Sequence, residues 1–304
     1  MRTETQMMDL ILSVARQDER IRAVYMNGSR TNADAPEDLF QDYDIVYVVT
    51  ELGSFLRDES WIDVYGERLI MQEPMKLDQY LGLSSGDTQG VEDYAYLILF
   101  NDSNRMDLSL KTAGVMLAEY TGDSLTLPLL DKDGCLPAIP PPDDHSYHIQ
   151  QPTAGQYFSC CNEFWWCLQN VAKGIWRDEL PYVMQMFQST SHIELDRMVS
   201  WWISLRHEDG IATGKMGKYF KRYLPTEYWQ QYEQTYSDWQ YDHVWDSVFV
   251  TCDLFSQLAR DVADQLGYPY LDADEANMTR YLDLVRKLPA DATEISGLAV
   301  DTDA

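Results

Sequence analysis

The chain has 304 residues, 45% of them hydrophobic and 12% aromatic, which is enough for a packed core and, at ordinary domain sizes, for about two domains. Its 50 Asp and Glu against 23 Lys and Arg leave a formal net charge of −27, a sign that repels nucleic acid and anionic membrane surfaces and favours cationic partners. Five cysteines without a Cys-x-x-Cys pair, no apolar run of about 18 residues and no basic start ahead of an apolar stretch give the expectation of reduced thiols and a cytoplasmic location.

Met7, Met8, Leu10, Ile11 and Val14 recur at helical spacing, so residues 3–16 are expected to form an amphipathic helix. Strands are expected over 21–27, 43–49, 67–72, 94–101 and 105–111, separated by polar loops, as in a mixed α/β sheet. The run Pro137-Ala138-Ile139-Pro140-Pro141-Pro142 ends that pattern, because proline sustains neither helix nor central strand. Beyond it the period becomes helical over 157–173, 180–187, 193–207, 218–224, 239–266 and 277–288. The expected class is α+β: a mixed α/β sheet domain at 1–136, a proline-rich linker at 137–150, an all-α helical bundle at 151–290 and a disordered tail at 291–304.

Chemistry concentrates in three places of the first half. Gly28-Ser29 turns out of the first strand into a short helix, where small residues and free backbone N–H groups can seat phosphate oxygens. Asp42 and Asp44, one residue apart on a strand, share a face at about 7 Å spacing. Asp107, in the apolar-acid-apolar pattern Met106-Asp107-Leu108, is placed to lie beside them. Oxygen ligands that leave room for nucleotide phosphates suit one or two Mg²⁺ ions, so the combination reads as a metal-dependent nucleotide-transfer site. An Asp-x-Asp or a Gly-Ser taken alone would mean only a turn or a solvated face. His145 and His148 with Cys160 and Cys161 match no standard zinc spacing and are set aside.

The helical half holds eight of the nine tryptophans, most of which are expected to pack between helices. Glu163 and Trp166, three apart on one helix face, can meet an ammonium or guanidinium group together, against the plainer reading of a solvated acid beside a core indole. Gly214-Lys215-Met216-Gly217-Lys218 is a glycine-punctuated basic loop in an acidic chain. Lys215 and Lys218 are expected to reach the triphosphate, unless they only pair with surface acids at a helix start; Lys173 near a helix end has the same two readings.

Several stretches together resemble the aminoglycoside 6-adenylyltransferases, the streptomycin-modifying branch of the nucleotidyltransferase superfamily. They are Tyr25-Met26-Asn27-Gly28-Ser29-Arg30-Thr31-Asn32, Phe40-Gln41-Asp42-Tyr43-Asp44-Ile45, Asn104-Arg105-Met106-Asp107-Leu108, Asn162-Glu163-Phe164-Trp165-Trp166, the run from Val171 to Glu179, and Gly214-Lys215-Met216-Gly217-Lys218-Tyr219. The likeness spans residues 2 to 287, whereas 273–304 carries no assignable motif. It implies a nucleotidyltransferase domain ahead of a helical substrate-binding domain, and AMP transfer from ATP to a cationic small-molecule acceptor, the 6-hydroxyl of streptomycin first. In that scheme Asp42, Asp44 and Asp107 hold the metal, with Asp107 also a candidate base. Gly28, Ser29 and Arg30 seat the β- and γ-phosphates of ATP bound between the domains, and Asp178 and Glu179 join Glu163 and Trp166 as acceptor anchors. Another acceptor (a lincosamide, a different aminoglycoside or a protein side chain) and a nucleotide-binding regulator or antitoxin are the competing expectations. Neither nucleic acid nor membrane is an expected partner, and a monomer is the favoured state.

Overall fold

Thr3 opens the first helix through a reciprocal cap: its hydroxyl accepts from Gln6 N at 3.3 Å, and Gln6 Oε1 accepts from Thr3 N at 2.9 Å. The helix that follows, α1 (Glu4–Gln17), buries Met7, Ile11 and Ala15. The computed structural model describes residues 1–82 and 90–295, so of the expected tail the part at 296–304 lies outside the described residues. The chain divides between Ser146 and Tyr147 into two compact units, each with its own core, and the division falls inside the proline-rich stretch.

The first unit is built on six strands: β1 (Ile21–Asn27), β2 (Tyr43–Val49), β3 (Arg68–Gln72), β4 (Asp93–Phe100), β5 (Arg105–Thr112) and β6 (Leu127–Asp131). Their order is β3-β4-β5-β2-β1-β6; β2 and β5 run parallel and every other neighbouring pair runs antiparallel. The period of two sorts the side chains. Tyr43, Ile45, Tyr47 and Val49 join Met106, Leu108 and Leu110 in the core beneath α1. Asp44, Val46 and Val48 therefore face the other way, and Val46 and Val48 pack there against Met116 and Tyr120, at and just after helix α4. Three short helices, α2 (Gly53–Arg57), α3 (Pro74–Tyr80) and α4 (Ala113–Glu119), complete the unit.

The second unit is helical: α5 (Ala154–Trp176), α6 (Leu180–Met186), α7 (His192–Ser204), α8 (Phe220–Tyr223), α9 (Thr226–Gln234), α10 (Tyr241–Leu266) and α11 (Asp272–Arg286). Residues Phe187–Ser191 form a π-helical turn that joins α6 to α7 without a break. α5 packs against α6, α7 and α11, and α10 against α7 and α9. Trp165, Trp201, Trp202 and Trp245 are buried as the composition suggests, but Trp166 and Trp239 are 63% and 71% exposed. At the centre Phe164 of α5 stacks on Phe255 of α10, ring centroids 3.7 Å apart and planes 2° from parallel, both fully buried. Phe164→Ala should cost about 3–5 kcal/mol, read as a lowered denaturant midpoint at unchanged slope. An unchanged midpoint would mean that this stack does not hold α5 to α10.

The expected helix at 218–224 is observed only over Phe220–Tyr223. Gly214, Met216 and Gly217 all have positive φ, so the chain makes a short irregular turn before a helix can propagate. Among the described residues no helix is long and apolar enough to cross a membrane, and all five cysteines are free, four of them buried.

Candidate active site

The sheet register brings the acids together. Asp44 on β2 and Asp107 on β5 are direct partners in the parallel pair, and Asp42 lies just ahead of β2. One carboxylate oxygen from each of the three lies within 4.8 Å of the others, the one such group among the described residues. Burial pushes the Asp44 carboxyl up to about 7, the neighbouring Asp42 and Asp107 charges push in the same direction, and Arg105 opposes them. A half-buried carboxylate short of solvent and crowded by two others is short of positive charge. Oxygen donors at this spacing match a Mg²⁺-type ion, so the residues present fit the metal that the sequence implies.

Arg105 supplies part of that charge. Its Nε and Nη2 donate to Asp107 Oδ1 and Oδ2 at 3.0 and 2.6 Å, and its Nη1 lies 3.5 Å from Asp42 Oδ2. The guanidinium thus bridges two of the three acids. In the sequence Arg105 carries no role of its own; its one signal is its place two residues before Asp107, which at a strand's period of two sets both side chains on one face.

The turn beside the acids is fixed by distant contacts. Gly28 takes φ +78, and Ser29–Thr31 forms a single 3₁₀ turn. A β-carbon on Gly28 would run into the Asp44 carboxylate and sit 3.0 Å from its Cγ, so only glycine lets turn and carboxylate approach this closely. Asn27 Nδ2 donates to Thr126 Oγ1 at 2.7 Å and lies 3.3 Å from Asp123 Oδ2. The Thr31 hydroxyl lies 2.9 and 3.0 Å from the carbonyls of Gly28 and Leu125. The segment from Asp123 to Thr126 therefore braces the turn from about a hundred residues away, a link that no local pattern announces. Arg30 points back at the chain: its Nε and Nη2 donate to the carbonyls of Asp42 and Gln41 at 3.0 and 2.8 Å.

In the second unit, Glu163 and Trp166 stand exposed on α5, with Glu163 Oε1 3.2 Å from Cys167 Sγ. Lys173 is half-buried in the last turn of the same helix. Asp178 has φ +59 and ends the turn after α5, its N–H donating to the Ile175 carbonyl at 3.1 Å; Glu179 follows as the residue capping α6. Glu163 and Asp178, fifteen positions apart along this helical stretch, are separated by roughly 20 Å at helical rise. One cationic group cannot touch both. Asp178 lines a cavity of about 390 Å³ with Leu180, Trp239, Gln240, Tyr241 and Asp242, so an exposed indole and a second acid that the motif did not include accompany it. Lys215 and Lys218 are exposed in the glycine-punctuated turn, the Lys218 ammonium 5.0 Å from the Tyr219 ring.

Comparison with known proteins follows the same lines. Residues 1–285 match the family described as Streptomycin adenylyltransferase. An aminoglycoside 6-adenylyltransferase from Campylobacter jejuni is 38% identical over 275 residues, covering 90% of this chain and 93% of that protein. Its counterpart from Bacillus subtilis (strain 168) is 37% identical over 287 residues, covering 92% and 97%. The crystal structure of an aminoglycoside 6-adenyltransferase from Bacillus subtilis aligns with TM-score 0.46 and 32% identity, over 95% of this chain and all of that one. With a family match along most of its length and relatives of this identity, the chain belongs to the streptomycin adenylyltransferase family.

Proposed function

We propose that the protein transfers AMP from ATP to a hydroxyl of an aminoglycoside, the 6-hydroxyl of streptomycin first among them, with release of pyrophosphate in the cytoplasm. The observation that carries the reading is the meeting of Asp42, Asp44 and Asp107 within 4.8 Å beside a positive-φ Gly28 turn, in a chain of this family. We assign the transfer chemistry to 1–136 and acceptor binding to 151–290, with 137–150 as the linker.

Asp42, Asp44 and Asp107 would hold Mg²⁺, which when bound draws off phosphate charge and lowers the pKa of an acceptor hydroxyl. Small side chains at Gly28 and Ser29 let phosphate oxygens reach the backbone N–H groups of the turn. Asp107 is in two-point contact with Arg105, and its carboxylate is our candidate to take the hydroxyl proton of the acceptor. In the second unit Asp178, with Trp239 and Asp242 around the same cavity, is the preferred anchor for a guanidinium or ammonium group. Glu163 with Trp166 is a separate candidate, since the two sets lie too far apart to share one group.

Incubation with ATP, Mg²⁺ and a panel of aminoglycosides and lincosamides, with pyrophosphate as the readout, tests the reaction. Release with lincosamides alone would replace the acceptor, and no release with any of them would remove the antibiotic reading. For the acceptor site, Asp178→Asn should raise KM for streptomycin by about 10- to 100-fold and KM for ATP by less than about twofold, as expected when one side of a charged pair is removed. Raising salt should lower kcat/KM for the antibiotic, because the −27 charge that draws a cation in is screened within about 3 Å at 1 M. If neither change moved the streptomycin kinetics, Asp178 would not contact the acceptor.

A further inference from the structure

The first residue after the Gly-Ser turn is an arginine, and its place beside a phosphate-seating turn suggests a phosphate ligand. Its contacts suggest something else. Nε donates to the Asp42 carbonyl at 3.0 Å and Nη2 to the Gln41 carbonyl at 2.8 Å. The guanidinium carbon lies 3.8 Å from the centroid of the Tyr43 ring, and Nη1 lies 3.5 Å from Glu4 Oε2. The side chain is 12% exposed. Three of its four partners are the consecutive residues Gln41, Asp42 and Tyr43, which lead the chain into β2. The fourth, Glu4, is 68% exposed and adds little in water.

Asp44 and Asp107 sit inside paired strands, and the ladder fixes their backbones. Asp42 does not. The first paired residue of β2 is Tyr43, opposite Met106, and no regular element lies between Thr31 and Tyr43. A carboxylate carried on the end of an irregular segment will not hold a fixed position against two strand-borne partners unless its backbone is tied down. Arg30 makes that tie with a two-point fork on successive carbonyls and a planar stack on the next ring, a combination that lysine cannot reproduce.

We propose that Arg30 is a positioning residue for the Asp42 carboxylate, and through it for metal binding, and that it does not serve as a ligand to the nucleotide phosphates. The inference rests on the reading of Asp42, Asp44 and Asp107 as the metal site. It makes the phosphate turn and the first metal ligand one mechanical unit, with Arg30 as the link.

The test uses the full chain and Mn²⁺ alone as the probe. Mn²⁺ affinity is measured from the free-ion paramagnetic signal, ATP affinity by equilibrium dialysis in EDTA, and Tm alongside, for wild type, Arg30→Lys and Arg30→Ala. Both variants should weaken Mn²⁺ binding by about 10- to 100-fold, the range for losing an outer partner of a metal ligand. Metal-free ATP affinity should change by less than about twofold, and lysine should rescue no better than alanine. Where Arg30→Ala fails to fold, Arg30→Lys carries the comparison. Mn²⁺ affinity unchanged in Arg30→Lys, or ATP affinity lost in Arg30→Ala and restored in Arg30→Lys, would overturn the proposal, because a positive charge rather than a fork would then be what matters. Wild-type protein that bound no Mn²⁺ would instead bring down the metal-site reading beneath it.

Discussion

Asp44→Asn should abolish transfer, by on the order of a thousandfold in kcat, and at the same time make the metal-free protein more stable at neutral pH. The two effects have one cause. An amide cannot replace an anionic ligand, but it also removes a charge that the fold holds at a cost. The Asp44 carboxyl ionises near 3.8 in an unfolded chain and at about 7 in the folded one, raised first by burial and then by Asp42 and Asp107. Between those values the folded state keeps a proton that the unfolded state has released. Stability from this group is therefore complete below about pH 4, falls as pH rises and levels off above about pH 7, with an upper bound on the order of 4 kcal/mol. The check is Tm in EDTA at pH 5 and pH 8. Wild type should lose stability across that range more steeply than Asp44→Asn, and parallel curves would show that Asp44 is not strained by its neighbours.

Gly28→Ala is the second large effect. The substitution meets two obstacles, a φ of +78 and a β-carbon driven into the Asp44 carboxylate. At φ +78 and ψ −161 the residue lies in a backbone region that is essentially glycine's alone, which costs an alanine on the order of 1–3 kcal/mol in stability; displacement of Asp44 adds a loss of activity that we expect to reach about a hundredfold or more in kcat/KM. Gly134→Ala separates the two, because Gly134 has φ +67 with nothing within 4 Å of a new β-carbon. Both variants should lose stability, while only Gly28→Ala should lose activity. Equal activity in the two would mean that the approach of the turn to Asp44 has no catalytic consequence.

What could be read before folding follows from how local each signal is. β1 and β2 appear at the expected residues, 21–27 and 43–49, because both are almost continuously apolar and their ends are marked by polar turns. β6 went unread because Leu127-Pro128-Leu129 argues against a strand. It survives as the outermost strand beside β1, where a missing N–H can face away from the sheet. α9 is hard to read because Thr226–Gln234 is largely polar, and its Tyr232 is buried through contacts with distant residues such as His192, Asp196 and Phe220. Among site residues, the three aspartates were legible from alternation and spacing. The bridging role of Arg105 depends on cross-strand register, and the brace at Asp123 to Thr126 joins parts of the chain that no window contains together. The cavity at Asp178 likewise gathers Trp239, just ahead of α10, and Asp242, in its first turn, some sixty residues on.

The π turn at Phe187–Ser191 gives this family member a tolerance that substitutions do not reveal. An α-helix turns by about 100° per residue, and a π turn holds one residue more than the α-helix would over the same stretch. Val183 before it and Leu195, Met198 and Val199 after it all belong to the core that α5 shares with α6 and α7. Deleting one residue there, for instance the exposed Ser189, would leave a regular α-helix with both sets of side chains still in phase, whereas the same deletion inside α6 or α7 would rotate one set by about 100° against the other. Nearly any polar residue could stand at Ser189, and the position could also be left out. A one-residue alignment gap at this turn would therefore mark a relative whose helical half packs in the same way, while a gap a turn to either side would mark one that packs differently.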